Sequence, residues 1–206
     1  MGFSVDDIPL TALLNLESSR GVQEVSLSQL NPRLETLFSQ VQTLTTRLND
    51  IRPATKLDAH DYSDAVCVRL HHLLHFAPLG GARHLEPLDN LVHLALVAIM
   101  TTLMPEYFQN QARYDLLSDL LRWALQGYEG GDEVLLWALF VGYATVLDNE
   151  VDARWMKEMA AGAGVRLDLG GWVDVCGVLR RYGWIHVFYD GFGMKLWEDV
   201  GSGKVD

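Results

Sequence analysis

With 206 residues, 49% of them hydrophobic and 21% charged, the chain can bury one sizeable core without disulfides or a structural metal, and its composition excludes a disordered or a fibrous protein. A formal charge of -11, from 16 basic against 27 acidic residues, argues against direct binding to nucleic acid, whose phosphates an acidic surface repels. The two cysteines, Cys67 and Cys176, fall inside apolar helical patterns, so both are expected to be free buried thiols in a reducing, intracellular compartment.

Residues 1–30 mix short apolar patches with Ser, Gly and Glu and read as an arm or short helices lying on the body, with Asp6 and Asp7 where a secretory leader would be basic. Asn31 followed by Pro32 is a helix start, and Leu34, Leu37, Val41, Leu44 and Leu48 then recur at heptad spacing, with Phe38 widening the stripe. The repeat lasts about two heptads where a coiled coil needs about three to four, which predicts a bundle helix, with a dimerising helix as the alternative. After Arg52-Pro53, Asp61 is placed to cap a second helix running through Tyr62, Ala65, Val66, Leu70, Leu73 and Leu74 to Phe76. Pro78 to Arg83, with Gly80-Gly81, is a loop.

Glu86-Pro87 opens a third helix, LDNLVHLALVAIMTTLM, apolar on nearly every side and cut off by Pro105; it is too short for a membrane span and reads as a central core helix. The fourth covers about Gln109 to Leu125, with Leu116, Leu117, Leu120, Leu121 and Ala124 facing inward. Asp132 caps a fifth, VLLWALFVGYATVL, the second nearly all-apolar element. A sixth carries Trp155, Met156 and Met159 and is closed by Gly162 and Gly164. Asp168 or Gly170 starts a seventh, ending on Arg180-Arg181, whose charges suit the last turn of a helix. Ile185 to Tyr189 is short and β-prone but reads as helix or turn, and a last helix takes in Met194, Leu196 and Trp197 before the polar tail 201–206. The expected fold is all-α: one bundle of seven or eight helices over 31–200 around two central apolar helices.

From Asp61 onward, the runs DYSDAVCVRLHHLLHF, LLWALFVG (135–142), Trp155, the Trp172–Leu179 helix with Trp184-Ile185, and Leu196-Trp197 occur in a distinctive order and spacing. Over about 140 residues this pattern resembles the C-terminal region of fungal-specific transcription factors of the six-cysteine zinc-cluster class. The resemblance implies a helical regulatory domain that in the family follows a DNA reader and in some members answers small molecules. A binuclear cluster needs six thiolates, and this chain has two cysteines, so it carries no such reader. Two functions follow as expectations. One is a regulatory or ligand-responsive domain, nuclear if part of a transcription factor. The other is a cytoplasmic stand-alone enzyme on the same body, a cyclase or isomerase of fungal secondary metabolism acting on an apolar small molecule.

Tyr182, Trp184, His186, Phe188, Tyr189 and Asp190 crowd aromatics around one imidazole and one carboxylate, the composition of a small-molecule pocket. His186 and Asp190 lie four apart and, on a continuous helix, share a face where the acid can orient the ring; they are the candidate catalytic pair. Trp137, Tyr143, His72, His75, Trp184 and Tyr189 are the candidate ligand-binding residues. His71, His72 and His75 lack an intervening Glu and a third ligand, so they read as a polar face rather than a metal site. Asp148, Glu150 and Asp152 read as loop or cap carboxylates. No phosphate-cradling glycine loop, GxSxG or CxxC is present, so no cofactor is expected. The expected partners are an apolar small molecule and a protein or a second copy of the chain, with no nucleic acid and no membrane.

Overall fold

Helix α1 (Pro32–Asn49) starts as its sequence dictates: the Asn31 side chain accepts the Arg33 N–H at 3.0 Å, and Pro32 fills the first helical position, where a missing N–H costs nothing. The computed structural model describes residues 29–51, 58–81, 83–104, 114–147 and 151–202. After α1 come α2 (Ala59–Phe76), α3 (Pro87–Thr102), α4 (Asp115–Gln126), α5 (Asp132–Thr145), α6 (Ala153–Arg166), α7 (Trp172–Tyr182) and α8 (His186–Ser202). The fold is all-α, and among the described residues there is no strand.

The two helices without a polar side form the centre. In α3 every residue from Leu91 to Thr102 is buried, and in α5 every residue from Val134 to Ala144. They pack on each other; α1, α2 and α4 close around α3, while α4, α6, α7 and α8 close around α5. No described helix is long and apolar enough to cross a membrane. The heptad positions Leu34, Val41 and Leu44 of α1 are buried against α2 and α3, so that stripe is covered within the chain.

Several local expectations are corrected. The cap of α2 is Asp58, which accepts the Asp61 N–H at 2.9 Å, so Asp61 lies in the first turn rather than before it. Leu116 does not face inward: α4 buries Leu117, Leu121 and Leu125 at four-residue spacing, and Leu116 (52% exposed) shares the outer face with Trp123, seven residues on. The described part of α4 begins at Asp115, and the expected start at Gln109 lies outside the described residues. Gly131 occupies the cap position of α5; Asp132 is its first residue and accepts the Arg166 guanidinium at 2.6 and 2.8 Å.

Gly164 does not close α6 but lies within it, where a Cβ would come 2.6 Å from the Trp197 ring of α8. Helix α7 starts after Gly171, with the Asp174 carboxylate accepting the N–H groups of Gly170 and Gly171 at 3.0 Å each. Gly183, at φ +100, makes the left-handed turn out of α7 that a β-carbon would strain. Helix α8 begins at His186, eight residues before Met194, so most of the β-prone stretch is helical. Cys176 is buried, but Cys67 is exposed on α2, contrary to the expected pair of buried thiols.

Candidate functional site

The aromatic segment ends up in the middle of the molecule. Trp137 of α5 is fully buried, stacks on Tyr182 at 5.8 Å, meets the edge of Phe38 at 6.1 Å, and donates its indole N–H to the Gly183 carbonyl at 3.2 Å. Trp184, 1% exposed, lies 5.2 Å from the Tyr189 ring and edge-on to Phe140. Its indole N–H donates to the Asp190 carboxylate at 2.7 Å. The Tyr189 and Thr102 hydroxyls share a short hydrogen bond that ties α8 to α3. Large aromatics with a polar handle have each found a partner here, as buried Trp and Tyr must.

Asp190 therefore meets the indole of Trp184. His186 sits at the first position of α8, where its backbone N–H donates to Asn49 Oδ1 at 3.0 Å; the Asn49 amide in turn donates to the Trp184 carbonyl at 2.6 Å. The end of α1 thus caps α8 in place of a local side chain. Tyr182 donates its hydroxyl to Glu133 at 2.9 Å, and Arg181 bonds the other oxygen of the same carboxylate at 2.7 Å. Burial first, then the Glu133 carboxylate, raises the Tyr182 phenol well above its usual pKa. Burial and then the nearby Asp190 charge push the Cys176 thiol up to about 11, so it is not a nucleophile at neutral pH.

Of the remaining candidates, Tyr143 belongs to the same core, while His72 and His75 lie at the surface. Tyr143 is buried on the same helix, where burial first and then the Asp199 charge raise its pKa, with Lys157 opposing; Lys157 and Asp199 pair at 2.8 Å. His72 and His75 are exposed near the end of α2 and line a cleft of about 260 Å³ with Arg33, Thr36, Leu37 and Phe76. His71 stacks on His75 at 6.2 Å, and among the described residues no group of three metal-ligating side chains is assembled. A second cleft, of about 300 Å³, lies where Trp197 and Val200 of α8 meet the end of α6 and Asp168.

Three polar arrangements were not anticipated from sequence. His93 is fully buried in α3; its Nε2 bonds the Leu73 carbonyl at 2.8 Å and its Nδ1 the Arg83 guanidinium at 2.8 Å. A carbonyl only accepts and a guanidinium only donates, so the proton sits on Nε2. Burial, and to a lesser extent the Arg83 charge, lowers its pKa to about 4 against the Leu73 bond, which raises it. Arg83 also donates to Asn90 at 2.9 Å, clamping the α2–α3 loop onto α3. Asp152 stands at the cap position of α6 but makes no cap bond; it is 1% exposed and takes a bidentate Arg122 at 2.7 and 2.9 Å plus the Trp155 indole at 2.9 Å. Arg69, buried on α2, donates one N–H to the Ala65 carbonyl at 2.9 Å and leaves Nε without a partner. The signals available were a histidine inside an apolar run and an arginine beside a glycine turn; neither names the partner.

Comparison of the chain with protein-family models, curated proteins and solved structures finds no match.

Proposed function

We propose that this chain is a non-catalytic regulatory domain, of the kind its likeness to the C-terminal region of fungal zinc-cluster transcription factors implies, responding to a small molecule or protein and leaving DNA recognition to a separate module. One observation carries this choice over the enzyme. The acid expected to orient a catalytic His186 is bonded to the buried indole of Trp184, and the indole of Trp137 and the hydroxyl of Tyr189 are likewise bonded within the chain. A proton relay needs groups poised toward substrate, whereas these hold the core together. The acidic charge supports the same reading, since several arginines are already paired with carboxylates and contribute little to phosphate binding.

The test is to fuse the full chain between a heterologous zinc-cluster DNA reader and an activation segment and to measure reporter output in fungal cells. A severalfold change relative to the reader and activator alone supports the regulatory reading. Equal output overturns it, and so does turnover of an apolar substrate that is lost in His186→Ala. The isolated chain is expected to give no saturable shift of duplex DNA at physiological salt.

A further inference from the structure

The first turns of α1 and the last turn of α2 enclose the 260 Å³ cleft, with Arg33, Thr36 and Leu37 on one wall and His72, His75 and Phe76 on the other. Its chemistry runs against that of the chain as a whole. Acids outnumber bases 27 to 16, and the arginines at 122, 154, 166 and 181 each hold a carboxylate. Arg33 does not: its backbone N–H bonds Asn31, and among the described residues no acceptor engages its guanidinium. Among the described residues, the ring that meets those of His72 and His75 is that of His71, at 6.0 and 6.2 Å, and no hydrogen-bond acceptor engages either imidazole. The Thr36 hydroxyl is committed to the Pro32 carbonyl at 3.0 Å, and Glu35, the acid of that turn, is not part of the lining.

Three N–H-bearing side chains that have no acceptor among the described residues therefore converge on a concavity whose other surfaces are Thr36, Leu37 and the Phe76 ring. The positive end of α1 adds to the attraction for an anion. A guanidinium presents paired donors that match a carboxylate, and even a neutral imidazole supplies one N–H. A volume just below the roughly 300 Å³ at which small-molecule pockets usually begin admits a short body only.

We propose that the α1–α2 cleft binds a small amphiphilic monocarboxylate, its carboxylate on Arg33 and the imidazoles of His72 and His75 and its short alkyl or aryl body on Leu37 and Phe76. This rests on the ligand-responsive reading above and moves the ligand from the aromatic centre to the opposite end of α1.

The test is an NMR titration of the full chain with octanoate and phenylacetate, following the imidazole proton signals, with 1-octanol and inorganic phosphate as controls. Saturable shifts of the His72 and His75 signals are expected with both acids. Phosphate, which lacks the body, and octanol, which lacks the charge, should each bind at least about tenfold more weakly, the scale of losing a charge-assisted bond. Arg33→Gln should weaken octanoate by about tenfold or more without lowering the melting temperature, because Arg33 is exposed; Arg180→Gln, exposed on α7, should change nothing. Unchanged affinity in Arg33→Gln, shifts that do not saturate, equal binding of phosphate or octanol, or perturbation confined to tryptophan signals overturns the proposal. Because the titration uses the isolated chain, a reporter response without octanoate binding removes only this inference, and binding without a reporter response removes only the regulatory one.

Discussion

Replacing Asp190 separates a structural carboxylate from a catalytic one. Its Oδ1 accepts the indole N–H of Trp184, whose side chain is 1% exposed, so Asp190→Ala leaves that donor inside the protein without a partner. An orphaned buried donor costs about 1–3 kcal/mol, and the lost acceptor is charged, so about 2 kcal/mol is expected. For a chain of this size that is roughly a 4–8 °C fall in melting temperature. Asp190→Asn keeps an acceptor oxygen in place and should cost under about 1 kcal/mol. Trp184→Phe removes the donor, so the double variant with Asp190→Ala should cost about 1–2 kcal/mol less than the sum of the single changes. Urea unfolding followed by far-ultraviolet circular dichroism reads the parent and all four variants without depending on tryptophan emission. If Asp190→Ala lies within about 0.5 kcal/mol of the parent, or the cycle shows no coupling, the indole bond is not what holds Asp190, and the catalytic role returns.

Asp152→Ala takes the buried bidentate acceptor from Arg122, which keeps only its bond to the exposed Asp119, and removes the acceptor of the Trp155 indole, and should cost about 3 kcal/mol, whereas Asp119→Ala, removing an acid 56% exposed at its side chain, should cost under about 1 kcal/mol in the same unfolding assay. His93, at about 4 when folded against about 6.5 when unfolded, is neutral in the native state, so the unfolded chain binds the extra proton between those values. Its contribution, about 3 kcal/mol, is fully present above pH 6.5 and is lost as pH falls toward 4; stability measured from pH 7 to 4.5 should slope accordingly, and His93→Gln should flatten that slope. An aromatic disulfide reagent should label Cys67 at once and Cys176 only on unfolding, since one thiol is exposed and the other is buried with its pKa raised to about 11; two fast thiols would place α7 wrongly.

What the sequence makes legible is periodicity. A helix apolar on all sides has no stable place except between other helices, so the roles of Leu91–Thr102 and Val134–Ala144 follow from composition alone. The heptad in α1 is legible as an apolar stripe too short for a coiled coil, but whether it meets another helix of this chain or a second copy depends on what lies opposite, which no local pattern records. Polar partnerships are harder still because they join distant residues. Asn49 and His186 are 137 positions apart, Gln42 and the Arg181 carbonyl 139, and each bond is decided by how α1 crosses the α7–α8 turn. Trp137, Tyr143, Trp184 and Tyr189 share the core while His72 and His75 lie exposed on α2, a division that no local pattern records.

Burial sorts those residues instead. A polar group inside the core must be bonded within the protein, so the central indoles and the Tyr189 hydroxyl are committed to Gly183, Thr102 and the half-buried Asp190. A group at the rim faces no such demand, because water satisfies it until something better arrives. Residues that look most functional in a sequence, large aromatics beside an acid, are therefore those whose hydrogen bonds folding uses up. Arg33 looks ordinary in sequence and His72 and His75 stand out there only as a histidine cluster, yet among the described residues all three retain unmatched donors beside an apolar surface, and displacing water from such donors by a complementary anion would give a helical bundle of this kind a ligand without opening its core.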